Sequence, residues 1–468
     1  MKTSSLLYRF EGCAVSERDF RSRSSGPETA TFLAPWAHDA SPWGIVWEEV
    51  AERPEWHRLF PEHPPFSKGS FLKLRVLRQK PEAVPRVLRG PEPWPGNLLT
   101  SPLARLMDEG SEGATRRLQA VTTQDVQRAG DGFEGKVEPG LDQEILETLV
   151  APAADAVRPR LLQAAADLTR RRFGGRVLVY APLYLSNACT NLCAYCGFNY
   201  ENPIQRVTLT PDQIRREAHA LAELDIRHAL LLTGEAPREV PVDFLESAVS
   251  NVKDAFDTVS LEVYPLDTGE YARVVRAGAR GLTLYQETYD PKLYHSVHRR
   301  GRKRNLLWRL GGPERAAAGG MQKIGLGSLL GLGDWRFETL ALGLHARALK
   351  EAFPRLEVTI SFPRLRHAPG DFQPPSPVSD EDLIHMMSVL RLFLPDVGLV
   401  LSTRESQDFR DRVAPLLVTQ MSAGSRTHPG GYAQPWSDEA PGHQFDIADP
   451  RTPQEVRTRL QEMGLTTV

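Results

Sequence analysis

Short apolar runs alternate with longer amphipathic stretches over most of the chain after Gly175. A short apolar run bounded by turn residues predicts a buried strand, and apolar residues at three- and four-residue steps predict a helix. Segments such as 210–224 and 380–394 have the helical pattern. The predicted strands are 177–183, 228–233, 258–265, 281–285, 324–331, 357–362, 397–402 and 416–422.

Eight strands separated by helices predict an α/β protein in which residues 176–440 form a parallel (β/α)8 barrel of the TIM type. A doubly wound open sheet is the main alternative. Residues 98–175 have apolar positions at helical spacing, which predicts an N-terminal helical segment. Glycine commonly follows the end of a helix, so Gly174 and Gly175 are expected to end it. Residues 441–468 are interpreted as a C-terminal tail.

Residues 1–97 have a different composition, with five of the eight tryptophans and frequent prolines. Proline interrupts helices and central strands, so we interpret this segment as a Pro/Trp-rich N-terminal extension of unknown role. Within it, 44–60 allows a short amphipathic helix. The extension is either an added interaction segment or a stretch outside the native product, because Met107 offers an in-frame alternative start.

Composition narrows the functional classes. The net charge of -2 gives no electrostatic reason to expect nucleic acid or an anionic membrane surface as a partner. No run of about 18 apolar residues is present, so no membrane-spanning helix is expected. Four cysteines, three of them clustered, argue against a disulfide framework and favour a reducing, cytoplasmic location.

The clustered cysteines are Cys189, Cys193 and Cys196, spaced C-x3-C-x2-C. Three thiolates on one loop can bind three irons of a [4Fe-4S] cluster and leave the fourth iron open for reactive chemistry. The alternatives are a zinc site or unligated thiols. A structural zinc site needs four protein ligands, and neither a fourth nearby cysteine nor a close histidine follows here.

Unusual polar residues follow nearly every predicted strand, and in a parallel barrel the carboxyl ends of the strands form the active-site face. Glu235 and Glu287 offer carboxylates for an ammonium group or for ribose hydroxyls. Three arginines offer planar guanidinium groups suited to a carboxylate, namely Arg309, Arg364 and Arg404. Glycines at 325, 327, 331 and 333 allow close backbone approach to a nucleoside, or simply relieve packing. Together these residues predict a pocket for amino-acid and nucleoside groups.

An aromatic residue, Tyr195, directly precedes the last clustered cysteine, so the loop resembles the C-x3-C-x-Φ-C signature of the radical S-adenosylmethionine (SAM) superfamily, in which Φ is aromatic. Further segments are similar to the 2-iminoacetate synthases, the tyrosine lyases of thiazole (thiamine) biosynthesis. They are 181–187, 197–198, 206–209, 232–235, 285–289, 323–327, 361–366, 401–405 and 430–432. The resemblance covers roughly residues 130–468.

This resemblance implies two cofactors, a [4Fe-4S] cluster and S-adenosylmethionine, which would chelate the open iron through its amino and carboxylate groups. One electron from the cluster would cleave it to methionine and a 5'-deoxyadenosyl radical. The radical would abstract hydrogen from L-tyrosine, and cleavage of the Cα–Cβ bond would give 2-iminoacetate and p-cresol. The protein's contribution would be to position these groups and exclude water.

The resemblance also assigns roles to individual side chains. Glu235 would hold the amino group of S-adenosylmethionine, Glu287 its ribose and Arg309 its carboxylate. The remaining assignments are Tyr195 and Phe198 near the adenine, and Arg404 and Ser422 as anchors for the amino-acid substrate.

Three alternative functions remain open. The tyrosine lyase of hydrogenase maturation carries a second cluster on later cysteines, and no cysteine follows Cys196 here, which argues against it. A tryptophan lyase of the same family and a non-enzymatic metal-binding barrel are the others. The resemblance implies thiazole synthase as a protein partner and reduced flavodoxin or ferredoxin as the electron donor, with neither nucleic acid nor membrane as a partner.

Overall fold

A computed structural model describes residues 102–133, 141–370, 372–433 and 442–468, together with the backbone of four short strands nearer the N-terminus. Those strands form an antiparallel sheet within a unit spanning Met1–Pro95, and they are Leu6–Leu7, Thr31–Phe32, Ile45–Val50 and Phe71–Val76. The strand at Ile45–Val50 corrects the suggestion of a helix at 44–60. Its β-branched and aromatic residues favour the extended backbone.

The second unit, Gly96–Val468, begins with four helices. They are α1 (Pro102–Gln119), α2 (Thr123–Phe133), α3 (Gln143–Val150) and α4 (Arg158–Phe173), with a 3-10 turn at Pro152–Val157. Helix α4 ends at Gly174, whose φ of 60° lies in the left-handed region that glycine adopts without strain. The glycine pair therefore ends the helical segment as predicted.

The strands that follow form a closed parallel barrel, so the barrel prediction is confirmed and the open sheet is wrong. They are β1 (Arg176–Ser186), β2 (His228–Thr233), β3 (Thr258–Glu262), β4 (Gly281–Thr283), β5 (Lys323–Gly327), β6 (Glu357–Ser361), β7 (Gly398–Leu401) and β8 (Gln420–Ser422). Strand β8 pairs with β1, with Ser422 opposite Tyr180, which closes the barrel. The run at 416–422 is only partly a strand, because its first two residues end the preceding helix.

Helices cover the outside of the barrel. They are α5 (Pro211–Glu223), α6 (Val242–Val252), α7 (Thr268–Ala277), α8 (Pro291–Val297), α9 (Leu306–Leu310), α10 (Gly312–Ala318), α11 (Trp335–Ala352), α12 (Asp380–Phe393), α13 (Gln407–Leu417) and α14 (Pro453–Glu462), with 3-10 turns at Lys253–Ala255 and Arg302–Arg304. Capping boxes begin α5 at Thr210 and α7 at Asp267, since each cap side chain and a partner three residues later satisfy the first N–H groups. Helix α4 packs against α12 and α13.

The C-terminal residues join the barrel. A final strand, β9 (Thr466–Thr467), pairs in parallel with the beginning of β1. The C-terminal segment also contacts α13, where the Arg410 guanidinium donates a hydrogen bond to the Asp449 carboxylate, and both side chains are fully buried. Among the described residues, no helix combines the length and apolar composition needed to cross a membrane.

Two of the glycines considered for close approach to a nucleoside, Gly325 and Gly327, are tightly packed inside the barrel. A Cβ on Gly325 would lie 2.8 Å from the Thr283 hydroxyl, and one on Gly327 would lie 2.7 Å from the Tyr285 ring. Both contacts are too short for a real side chain, so β5 carries glycine where its neighbours β4 and β6 project larger residues inward.

Candidate active site at the carboxyl ends of the barrel strands

The cysteine loop begins where β1 ends and is held from three sides. Thr190 donates its backbone N–H and its hydroxyl to the Glu235 carbonyl, at 2.9 and 3.0 Å. The Ala194 N–H donates to the Val297 carbonyl at 2.9 Å, and the Gly197 N–H donates to the Gln444 carbonyl at 3.1 Å. The end of β2, the end of α8 and the C-terminal segment therefore fix the loop.

Gly234 allows β2 to approach this loop closely. A Cβ at Gly234 would lie 2.2 Å from the Ala188 carbonyl oxygen and 3.1 Å from the Cys189 Cβ. No side chain fits in that space, so the Thr-Gly-Glu sequence at the end of β2 is matched to the position of the first cysteine.

The three thiols are free and lie near one another, with Cys193 buried and the other two half-buried. The Cys189 sulfur accepts hydrogen bonds from the backbone N–H groups of Asn191 and Glu235. The Cys196 sulfur accepts one from the Phe198 N–H and one from the Gln444 side-chain amide at 3.9 Å. Such N–H···S contacts are a means by which proteins tune iron–sulfur clusters.

Electrostatics at the thiols are also informative. Burial raises the pKa of Cys193 well above the ordinary value of a thiol, and the neighbouring Lys303 ammonium opposes that shift. Burial also raises the pKa of Cys189 and Cys196, and the same ammonium opposes that rise. The Lys303 ammonium favours the thiolate form of the three cysteines, which is the form that binds a metal cluster.

The arrangement fits an iron–sulfur cluster better than a zinc ion. Throughout the described ranges, no three His, Cys, Asp or Glu side chains converge on a position for a single metal ion. A zinc ion needs its ligands to converge in this way, whereas a [4Fe-4S] cluster takes each thiolate on a different iron. The donors on the sulfurs and the spread of the three thiols along one loop therefore match a cluster.

Glu235, which follows β2, is buried beside the cysteine loop. Its Oε2 accepts a hydrogen bond of 2.7 Å from the Asn191 side-chain amide. Burial raises the pKa of this carboxyl, and the Asn191 hydrogen bond and the charges of Arg309 and Lys303 oppose that shift. Among the described residues Glu235 has no cation within ion-pair distance, so its carboxylate is available to a ligand.

Glu287, which follows β4, is also buried but is ion-paired. Its Oε1 lies 2.6 Å from the Lys303 Nζ and 3.5 Å from the Arg309 Nη2. Arg309 also donates from Nε to the Tyr285 carbonyl at 2.6 Å. Glu287 has a φ of 71°, a left-handed conformation that is costly for a residue with a side chain and that often occurs at functional sites.

A buried network supports the segment around Glu287. The Glu338 carboxylate on α11 accepts hydrogen bonds from the hydroxyls of Thr288 and Ser328, at 2.5 and 2.6 Å, and from the Tyr289 N–H at 3.2 Å. Burial raises the Glu338 pKa to about 7. This network ties the residues after β4 to those after β5.

The two aromatic residues of the cysteine loop lie in different apolar clusters. Phe198 packs edge-to-face on Tyr184 at 5.9 Å, beside Cys189 and Cys196. Tyr195 packs against Leu329 and other apolar residues that follow β5. Its hydroxyl lies 2.7 Å from the His298 Nε2.

The residues assigned to the substrate lie on the same face, near β7 and β8. The Arg404 guanidinium stacks on the Phe445 ring at 3.3 Å. The Ser422 hydroxyl accepts a hydrogen bond of 3.0 Å from the Thr403 N–H. Arg364, predicted with Arg309 and Arg404 to suit a carboxylate ligand, instead binds protein carboxylates, with 2.9 Å to Glu405 and 2.8 Å to Asp380.

Sequence reasoning missed two charged residues of this site. Lys303 lies in the basic run at 299–304, which has the composition of a solvated loop, and nothing in that run marks the one buried lysine. Glu262 is the last residue of β3, and the alternation of Thr258, Ser260 and Glu262 along that strand could have placed it inside the barrel.

A closed parallel barrel with this three-cysteine loop after its first strand defines a radical SAM enzyme. In agreement, residues 183–342 match the radical SAM superfamily, and residues 361–466 match the biotin and thiamin synthesis associated domain. The chain is 39% identical over 354 residues to the 2-iminoacetate synthase of Escherichia coli, covering 75% of this chain and 91% of that enzyme. It belongs to the 2-iminoacetate synthase family.

Other comparisons agree. The 2-iminoacetate synthase of Salmonella typhimurium is 38% identical over 353 residues, covering 75% of this chain and 91% of that enzyme. Among solved structures, HydG, a maturase of the [FeFe]-hydrogenase, is similar with a TM-score of 0.70 and 30% identity over 76% of this chain and 78% of that chain. Methylornithine synthase (PylB) is similar with a TM-score of 0.57 and 25% identity, over 73% of this chain and 97% of that chain.

Proposed function

We propose that this protein is a radical SAM tyrosine lyase that cleaves the Cα–Cβ bond of L-tyrosine to 2-iminoacetate and p-cresol. The product 2-iminoacetate would supply the thiazole moiety of thiamine. The observation that carries the proposal is the similarity to 2-iminoacetate synthases over 91% of their length. When bound, the cluster supplies the electron that converts S-adenosylmethionine to methionine and the 5'-deoxyadenosyl radical, which abstracts hydrogen from the substrate.

In this proposal Cys189, Cys193 and Cys196 bind the cluster. The N–H···S contacts at two of the sulfurs support it. Lys303 supports it as well, because its charge lowers the pKa of Cys193, whereas the charges of the other two thiolates raise it.

Glu235, Glu287 and Arg309 bind the amino, ribose and carboxylate groups of S-adenosylmethionine. Unpartnered polar atoms beside them support this role, because buried polar groups almost always have a partner. The Thr233 hydroxyl oxygen and the Gln286 amide nitrogen are buried and have none within the described part of the chain. A bound polar ligand would satisfy them.

Tyr195 and Phe198 lie near the adenine of S-adenosylmethionine in this proposal, and Arg404 and Ser422 anchor the amino-acid substrate. The apolar surroundings of Tyr195 suit a purine ring. The Arg404 guanidinium, stacked on Phe445, keeps its N–H groups free of protein partners among the described residues. A guanidinium in that state suits the two oxygens of a carboxylate.

The proposed partners follow from the chemistry. An imine hydrolyses readily in water, which favours direct transfer to the thiazole synthase that would consume it. Reduced flavodoxin or ferredoxin would supply the electron. A cytoplasmic location is proposed because free thiols persist in reducing compartments.

The test is anaerobic incubation of reconstituted protein with S-adenosylmethionine, dithionite and tyrosine. We expect p-cresol and 5'-deoxyadenosine to form, and neither to form when tyrosine is omitted. An intact cluster that yields no p-cresol would refute the tyrosine lyase. If products form with tryptophan but not with tyrosine, the protein would be a tryptophan lyase. If the protein contains zinc in place of iron and sulfide, it would be a non-enzymatic barrel.

A second candidate is favoured by one observation, the similarity to HydG at 30% identity and a TM-score of 0.70. The hydrogenase-maturation lyases carry tyrosine breakdown further, to carbon monoxide and cyanide. Detection of those products in the same incubation would assign this activity instead. Their absence beside p-cresol would support the thiazole pathway.

A further inference from the structure

We propose that Glu262 binds the α-ammonium group of the amino-acid substrate, opposite Arg404, which binds its α-carboxylate. The inference rests on the proposed function only in taking the substrate to be an α-amino acid. It assigns a second charged contact to the substrate, one that the family resemblance did not suggest.

The first support is the position of Glu262 on β3. Thr258 and Ser260 line a cavity inside the barrel, together with Tyr285, which follows the neighbouring strand β4. Side chains two residues apart on a strand project to the same face, so Glu262 also projects inward. As the last residue of β3 it lies at the carboxyl-end mouth of the barrel, on the face where the cysteine loop and Glu235 lie.

The second support is that Glu262 and Arg404 have no hydrogen-bond or ion-pair partner for their side chains among the described residues. Within the described residues, neither the Glu262 carboxylate nor the Arg404 guanidinium has a hydrogen-bond or ion-pair partner within bonding distance. Two other charged groups of the mouth have ion-pair partners: Glu287 has Lys303 and Arg309, and Arg364 has Glu405 and Asp380. Partly buried charges without a partner are costly unless a ligand completes them.

The third support is that the two groups act on each other. Burial and the Glu287 charge raise the Glu262 pKa to about 7, and the Arg404 charge opposes that shift. Conversely, the Glu262 charge opposes the lowering of the Arg404 pKa that burial causes. The ionisable groups that influence Glu262 or Arg404, or are influenced by Glu262, are Glu287, Lys303, Arg309, Tyr180, Tyr184 and Tyr285.

This pairing suits the α-carbon end of an amino acid rather than its phenol. The ammonium and the carboxylate are bonded to one carbon atom, so the groups that bind them must share one part of the pocket. Glu262 and Arg404 carry the two complementary charges there. The tyrosine hydroxyls around them already have partners, with Tyr184 donating to the Gln444 side chain at 2.6 Å and Tyr285 bonded to Ser361.

The test compares two analogues that share the phenol but differ in charge. Tyramine keeps the ammonium and lacks the carboxylate, whereas 3-(4-hydroxyphenyl)propionate keeps the carboxylate and lacks the ammonium. Their dissociation constants would be measured by anaerobic equilibrium dialysis with reconstituted holoenzyme and S-adenosylmethionine. We expect Glu262→Gln to weaken tyramine binding by roughly 10- to 100-fold, since it removes a hydrogen bond between charged groups.

The same variant is expected to change the binding of the propionate by less than about threefold. The matched control Arg404→Gln should show the reverse pattern. Weaker binding of both analogues to Glu262→Gln would indicate a phenol contact and overturn the inference, as would unchanged binding of both. If Glu262→Gln does not retain the cluster, Glu262→Asp should still weaken tyramine selectively, and equal losses would overturn the inference.

Failure of this inference is distinguishable from failure of the proposed function. Suppose that the wild-type enzyme makes p-cresol and that Glu262→Gln does not change tyramine binding. The tyrosine lyase activity would then stand, and the proposed role of Glu262 would be refuted. If instead Glu262→Gln selectively weakens tyramine binding but the wild-type protein makes no p-cresol, the tyrosine lyase proposal would be refuted. Glu262 would still be an ammonium-binding group.

Discussion

Replacing Lys303 with methionine removes one half of a buried ion pair and leaves the other half in place. The Lys303 Nζ lies 2.6 Å from the Glu287 Oε1, and the two side chains are only 14% and 9% exposed. Methionine retains an unbranched apolar stem, so the change removes charge more than packing. At a separation of about 3 Å and an effective dielectric constant of about 20, the lost attraction is about 5 kcal/mol.

The expected loss of stability is smaller than this attraction. Removing one partner of a buried pair costs about 3 to 5 kcal/mol, because the remaining charge stays desolvated. Arg309 remains 3.5 Å from the same Glu287 oxygen and offsets part of that cost. We therefore expect Lys303→Met to lower the free energy of unfolding of the barrel unit by about 3 kcal/mol.

Urea unfolding of the holoenzyme under anaerobic conditions, followed by circular dichroism, measures this difference. Lys323→Met is the matched control, because Lys323 forms an ion pair of 3.0 Å with a Glu357 side chain that is 57% exposed. It should cost less than about 1 kcal/mol. The double variant Lys303→Met with Glu287→Gln should regain part of the loss, since the desolvated Glu287 carboxylate is removed and Arg309 keeps its hydrogen bond to the Tyr285 carbonyl. Equal effects of the two methionine variants would refute the reasoning.

Three further predictions concern the loop and its support. Cys193→Ala should abolish cluster binding without unfolding the barrel, with iron and sulfide content measured beside circular dichroism; a collapsed spectrum would contradict it. Gly234→Ala should reduce cluster content because its Cβ has no space beside the cysteine loop. The control Gly269→Ala should leave cluster content unchanged, since its Cβ would lie 3.4 Å from the nearest atom, the Asp267 Oδ1. Because burial raises the Glu338 pKa to about 7, the folded state holds this proton more tightly than the unfolded state, so wild-type stability should fall as pH rises from about 4.5 to about 7. Glu338→Gln should lack that fall, worth at most about 3 kcal/mol, and identical pH dependence in urea unfolding would contradict the assignment.

The barrel could be predicted because most of its strands are buried on both faces and therefore give a continuous apolar run. The predicted starts at 228, 258, 281 and 357 coincide with the observed ones. The predicted ends coincide at 233 and 422, and the other six do not: the run at 258–265 continues past β3 because Val263 and Tyr264 stay buried after the ladder ends. An apolar pattern reports burial, and it does not report where backbone pairing stops.

The site was predictable in position but not in pairing. Glu235 and Glu287 could be placed on the barrel face because each follows a recognisable strand. The partner of Arg364 could not be found, since Glu405 is 41 residues away in sequence and follows a different strand. The buried Lys303 was hidden for a related reason, because only the fold turns one member of a basic run toward Glu287.

The distribution of charge pairs also separates the roles that the sequence left open for Glu235 and Glu287. Both carboxylates suited either an ammonium or ribose hydroxyls. Glu287 already has two cationic partners, so an ammonium would have to compete with Lys303 and Arg309, whereas neutral hydroxyls would not. Among the described residues, Glu235 has the Asn191 amide as its side-chain hydrogen-bond partner and no cation within ion-pair distance. An ammonium is therefore favoured at Glu235 and a ribose at Glu287, which is the order that the family resemblance implies.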